Sequence, residues 1–156
     1  MSIALAIDAA DPLLTSEIAI EMLKQMRAVD TYGMYEQWPV ERILDPLIMT
    51  KERKQEIPVI GDPDEITLAR VKAYYNALAS LIERRCGLMA VPMINLTHEG
   101  FGRAVITVGK LVVMDKVLRD VHRFGFKSLE KMHEEAEKLV SKGAELVGKY
   151  REVAES

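Results

Sequence analysis

Apolar residues recur along this chain in two rhythms, and the change between them divides it. From Leu14 they fall every four residues, at Ile18, Met22 and Met26, with Ala19 and Leu23 beside them. Spacings of three and four put side chains on one face of a helix. Asp11-Pro12 supplies the start signal, an acidic cap before proline at the first helical position, and Gly33 follows the expected end. A second stripe comprises Ile66, Ala69, Ala73, Tyr74, Ala77, Leu78, Leu81 and Ile82. Before it, Asp62 reads as the cap, Pro63 as the first helical residue and Glu65 as the carboxylate of a capping box. Gly87 suits the residue just past the end. This predicted helix has about 24 residues and runs for roughly 36 Å, which suits a central core element.

After Gly87 the pattern alternates. Residues 91–97 predict a strand, and Pro92 places it at a sheet edge. Residues 103–108 and 111–114 are rich in β-branched side chains, and Gly109-Lys110 between them fits a two-residue hairpin turn. In that register Ala104, Ile106, Val108, Leu111 and Val113 share one face, so the three segments predict a small antiparallel meander. Residues 115–123 read as helical, broken by Phe124-Gly125-Phe126. Ser128 then caps a last helix whose apolar positions are Leu129, Met132, Ala136, Leu139, Gly143, Leu146, Tyr150 and Val153. That spacing of three and four suits a coiled-coil seam and hence a homodimer. Val140 and Val147 widen the stripe, which favours packing on the chain's own core. Glu134–Lys138 and Glu145–Lys149 are spaced for ion pairs on the wet face.

The segment from Tyr32 to Ile60 is punctuated by Pro39, Pro46 and Pro58, which leaves room only for short helical turns near residues 40–44 and 50–55. The charged run Lys51-Glu52-Arg53-Lys54-Gln55-Glu56 reads as a solvated helix face. Trp38 either anchors a partner or covers the core beneath a loop. The fold class is therefore α+β and predominantly helical. Long amphipathic helices pack with a small β-meander in a single domain over residues 1–156, its core at about 11–153.

Composition narrows the function classes. The chain has 156 residues, 49% hydrophobic and 29% charged, which suits a globular protein. Its net charge of −3 removes the general attraction for phosphate backbones, so nucleic acid is not expected as a partner. No apolar run reaches the roughly 20 residues that span a bilayer, and residues 1–10 lack the basic start of a signal peptide, so a cytoplasmic location is expected. The single cysteine, Cys86, permits neither an internal disulfide nor a four-thiolate metal site. It reads as a buried core thiol, and the nine methionines read as adaptable packing.

The densest polar stretch is His98-Glu99-Gly100-Phe101-Gly102-Arg103. In a meander the third strand returns to this loop and brings Asp115, Lys116 and Arg119 to the same rim, with His122 one turn later. The candidate ligand-binding residues are His98, Glu99, Gly100, Gly102, Arg103, Arg119 and His122. The arginines would hold an anion, an imidazole would bind a metal or move a proton, and the helix start would add free N–H groups. The bland alternative is a tight turn whose polar groups bond locally. No metalloprotease, dinucleotide, nucleophile-elbow or phosphate-loop pattern is present.

Four blocks, in order, resemble the NifX-associated nitrogen fixation protein family. They are Tyr32-Gly33, Glu56-Ile57-Pro58-Val59-Ile60-Gly61-Asp62-Pro63, the His98 to Arg103 run, and Leu118-Arg119-Asp120-Val121-His122-Arg123-Phe124-Gly125-Phe126. The similarity runs from about Ser16 to about Tyr150. It implies a role in nitrogen fixation, in assembly or handling of the nitrogenase iron–molybdenum cofactor, and NifX or another assembly protein as a partner. It carries over no catalytic residue, ligand set or cofactor. The leading expectation is a non-enzymatic accessory protein. The alternatives are a small enzyme acting on an anionic substrate at the His98/Arg103/Arg119 rim, and a structural dimerisation module that uses the last helix.

Overall fold

The computed structural model describes residues 16–28, 33–58, 61–97 and 99–155. The Asp11-Pro12 cap, Leu14 and His98 lie outside them. The described elements are α1 (Glu17–Ala28), α2 (Val40–Leu44), α3 (Lys51–Glu56), α4 (Glu65–Cys86), β1 (Ala90–Leu96), β2 (Gly102–Val108), β3 (Leu111–Leu118) and α5 (Leu129–Glu155). Single 3-10 turns cover Asp45–Leu47 and Val121–Arg123. This is the predominantly helical α+β arrangement that the two rhythms predict.

Helix α4 is the centre. Tyr74, Tyr75, Leu78 and Ile82 are almost wholly buried, and α1, α5 and β1 all pack on it. Leu78 and Ile82 each contribute about 1.5–3 kcal/mol by this burial. The helix begins two residues later than the first acidic cap suggests. Asp64, not Asp62, is the N-cap, and its carboxylate accepts from the Thr67 amide at 2.7 Å. Asp62-Pro63 and Asp64-Glu65 compete for the start, and the later one leaves Pro63 buried before the helix. Gly87 ends α4 with φ of 70°, as expected.

The sheet has the order β1-β2-β3, both pairs antiparallel, with Pro92 on an edge strand. Ala104, Ile106, Val108 and Val113 are buried and Leu111 is half-buried, so the expected inner face forms. A bulge between Ile106 and Thr107 shifts the register, pairing Ile106 with Met114 and Thr107 with Val112. Val113 is the extra residue, so Val113 and Met114 both turn inward.

The helix expected at residues 115–123 is absent. Strand β3 instead runs on to Leu118, and only the turn Val121–Arg123 is helical. Tertiary pairing overrides the local reading here. Asp115 takes the Arg103 guanidinium across the sheet, while Lys116 faces Glu135 of α5 at 3.1 Å. Each is a partner from another element, and both favour continued strand.

Ser128 caps α5 by accepting from the Lys131 amide at 3.1 Å. Its stripe is turned inward at Met132, Ala136, Val140 and Val147, and a Cβ on Gly143 would sit 2.9 Å from Ile82 Cδ1. Glu145–Lys149 pairs as expected, whereas Glu134 bonds Lys131. Cys86, expected to be buried, is half-exposed at the α4 end. Trp38 covers the core, edge-on to Tyr35, with the Arg42 guanidinium 3.9 Å above its ring. No helix among the described residues is long and apolar enough to cross a membrane.

Candidate functional site

The fold brings some of the expected rim together and parts the rest. The Val121 amide donates to the Gly100 carbonyl at 2.9 Å, so the glycine loop and the His122 turn do lie side by side. Gly100 has φ of +83°, and a Cβ there would meet the His122 ring at 2.5 Å. A side chain is excluded on both counts. His122 Nε2 lies 2.8 Å from the Gly61 carbonyl. Because a carbonyl only accepts, Nε2 carries the proton. One imidazole thus joins three segments far apart in sequence.

The arginines behave differently. Arg103 lies on the outer sheet face, where its Nε and Nη2 donate to both oxygens of Asp115 at 2.8 and 2.5 Å. That contact holds the Asp115 carboxyl below, and the Arg103 guanidinium above, its ordinary value. Lys116 takes the opposite face, toward α5. Arg119 and Glu99 are exposed, and Gly102 packs against Leu96 and the Asn95 carbonyl. The three-residue turn at Val121 provides no extended helix start at the rim.

His122 faces instead a cleft of about 580 Å³ that the sequence reading did not assign. Four segments wall it. The first is the stretch before α3, tied down by the parallel bridge between Ile48 and Phe126. Its bonds run from the Met49 amide to the Phe126 carbonyl at 2.7 Å and from the Phe126 amide to the Leu47 carbonyl at 2.6 Å. Gly125 permits this approach, since a Cβ there would lie 2.5 Å from the Leu47 carbonyl oxygen. The second wall is α3, which contributes Arg53. The third is the start of α4, with Asp62, Asp64, Thr67 and Arg70, and the fourth is His122 and Phe124. Phe124 packs behind on Tyr74 and Phe126, with ring centres 5.5 and 5.6 Å away.

The cleft's charge is organised. Arg70 donates from Nε to the Ile43 carbonyl at 3.1 Å and from Nη2 to the Arg42 carbonyl at 2.8 Å. Arg53 donates from Nη1 to the Asp45 carbonyl at 3.0 Å. Carbonyls fix both guanidiniums, and Asp64 supplies Arg70 with a nearby opposite charge. Burial pulls the Arg70 pKa down, and the like charges of Arg53 and Arg42 add to the shift, while Asp64 opposes it. The Asp64 carboxyl is held below its ordinary value by its hydrogen bonds from Thr67, with Arg70 and His122 helping. Arg53 and Arg70 are half-buried, whereas Glu56, Asp62 and Asp64, which line the same cleft, are exposed. Among the described residues, no group of three His, Cys, Asp or Glu side chains is placed to hold a metal ion.

Arg53 and Arg70 were missed because they sit inside helical patterns that explain them otherwise. The available signal was the block ending Gly61-Asp62-Pro63, which the cleft joins to the block containing His122.

Comparison with known proteins completes the picture. The profile of the family described as "Protein of unknown function, DUF269" matches residues 35–155. The "UPF0460 protein y4vQ" of Sinorhizobium fredii is 43% identical over 133 residues, covering 85% of this chain and 82% of that protein. The "UPF0460 protein in nifX 3'region" of Rhodobacter capsulatus is 39% identical over 142 residues, 91% of each chain. A crystal structure from the cyanobacterium Cyanothece 51142 is described as a protein associated with nitrogen fixation from the DUF269 family. It superposes with a TM-score of 0.83 at 40% identity, covering 96% of this chain and 100% of that one. The chain therefore belongs to the nitrogen-fixation-associated DUF269 family, as the four sequence blocks led one to expect.

Proposed function

We propose that this protein is a non-enzymatic accessory factor of nitrogen fixation, aiding assembly or handling of the nitrogenase iron–molybdenum cofactor through a partner protein or a transiently held precursor. The observation that carries this reading is the position of His122. Its Nε2 donates to the Gly61 carbonyl and its ring packs against Gly100, so it joins the cleft's walls. A general base needs an imidazole within reach of a substrate proton. Here Nε2 is committed to the Gly61 carbonyl and the Nδ1–Cε1 edge lies against Gly100, so both ring nitrogens face the chain itself, which supports a binding rather than a proton-transfer role for the cleft. Two related proteins are named for positions beside nifX, which supports NifX as the partner to test first.

The test is made on two levels. Purified protein is mixed with NifX and followed by size-exclusion chromatography, and nitrogenase cofactor content is measured in cells with and without this protein. Co-elution and a lowered cofactor content are the expected results. Unchanged cofactor content together with separate elution would overturn the proposal.

A further inference from the structure

We propose that the cleft between α3, the start of α4 and the His122–Phe124 turn binds a small organic polyanion, with one carboxylate or phosphate group seated against Arg53 and Arg70. The inference rests on the reading that the cleft holds a transient ligand, and it names that ligand's chemistry.

Three observations converge. The first is the way the guanidiniums are held. Arg53 uses Nη1 for the Asp45 carbonyl, so its Nε–Nη2 edge lies outside that bond. This edge is the side-on fork that fits two oxygens of one carboxylate or phosphate. Arg70 uses Nε and Nη2 for carbonyls of the chain before α3, so Nη1 lies outside those bonds. Arg103 shows the contrast. Its fork is filled by Asp115, so a second anion there would have to displace a carboxylate already in place.

The second is the distribution of charge. Arg53 and Arg42 repel Arg70, and Asp64 compensates Arg70, while the Arg53 guanidinium has a backbone carbonyl rather than a carboxylate as its hydrogen-bond partner. Glu56, Asp62 and Asp64 line the same cleft and are exposed, so they disfavour a long polyanion that would pass several of them more than a single anionic group seated at Arg53.

The third is the remaining wall. Leu47, Met49, Ile57 and Phe124 line the same cleft. About 580 Å³ is far more than a bare inorganic oxyanion fills, and an apolar wall has nothing to offer one. The ligand is therefore an anionic group on a carbon skeleton. Arg53 and Arg70 also line an adjoining hollow of about 570 Å³ beside Trp38 and Arg42, so the arginine pair stands between two openings.

The experiment is an NMR and calorimetric titration of the whole chain at low salt with citrate, inorganic phosphate and glycerol phosphate. Saturable shifts at Thr67, His122 and the Arg53 side chain are expected with citrate or glycerol phosphate, and weaker ones with inorganic phosphate. Response to citrate alone identifies a carboxylate ligand, and response to glycerol phosphate alone identifies a phosphorylated one. Arg53→Gln, on a helix with no buried residue, should weaken binding at least tenfold while circular dichroism stays unchanged. Glu56→Gln should tighten it. Arg70→Gln serves only as a check, because losing the Ile43 and Arg42 bonds can disturb the fold. Absence of any saturable response at millimolar probe, or a response that survives Arg53→Gln unaltered, would overturn the inference. Such a failure is separable from failure of the cellular role, which is read from cofactor content.

Discussion

The cleft and the outer face of the sheet are assembled in opposite ways. The outer face consists of three cross-strand rows, Val91–Thr107–Val112, Met93–Val105–Asp115 and Asn95–Arg103–Val117. The rows follow from alternation along contiguous strands with one phase shift, at the Val113 bulge, and Val91, Met93, Val112 and Val117 remain exposed there. The cleft draws on four segments and depends on single atoms: the Gly61 carbonyl for His122, the Asp45 carbonyl for Arg53, and a missing Cβ at Gly100. A surface made by periodicity tolerates change at any one position. A site made by convergence does not.

The largest effect expected tests which surfaces are inside. Gly143→Glu would force a carboxylate against Ile82 in the α4–α5 contact. It should cost more than about 4 kcal/mol and leave the chain unfolded by circular dichroism. A folded monomer in light scattering would instead return the α5 stripe to an intermolecular seam. Next comes Gly100→Ala, which adds a Cβ where φ is +83° and the His122 ring is 2.5 Å away. A loss of roughly 2–4 kcal/mol is expected from urea unfolding, with a changed His122 spectrum.

Asp64→Ala removes the N-cap of α4 and should cost about 1 kcal/mol at neutral pH. The Asp64 pKa is lowered in the folded state, chiefly by the Thr67 hydrogen bond. Its contribution is therefore fully present above the unfolded value near 3.8 and is lost as pH falls through the lower folded value. Unfolding curves of the two forms should converge in that acid range, and a gap that widened there would refute the assignment. The smallest effect belongs to the outer face. Val117→Thr, at a side chain 61% exposed, should change stability by less than about 0.5 kcal/mol. A loss above about 1 kcal/mol would show that this face is not tolerant, and the comparison would fail.

The sequence was informative where a structure repeats and where a turn has its own chemistry. The α1 and α4 stripes, Gly87, the Gly109-Lys110 turn and the short helices near residues 40 and 51 all form as their patterns indicate. It misled where two local readings were nearly equal. Asp62 and Asp64 are both good caps before the same helix, and Asp115-Lys116 looks like a helix start until Arg103 and Glu135 are supplied from elsewhere. Of the expected rim, Gly100 and His122 meet, whereas Arg103 pairs with Asp115 and Arg119 lies exposed. The run Lys51 to Glu56 is indeed a solvated helix, yet Arg53 and Glu56 line the cleft.

By itself the sequence determined the two periodicities, the prolines and glycines that end elements, and the ordered blocks that mark the family. These are properties of near neighbours, set by side-chain spacing and backbone sterics. Only the tertiary structure decided that Arg53, Arg70 and His122 face one cleft. Arg70 and His122 are placed by carbonyls 27 and 61 residues away, and these in turn bring the Asp45–Arg53 segment to the same cleft, which is settled by packing of the whole chain.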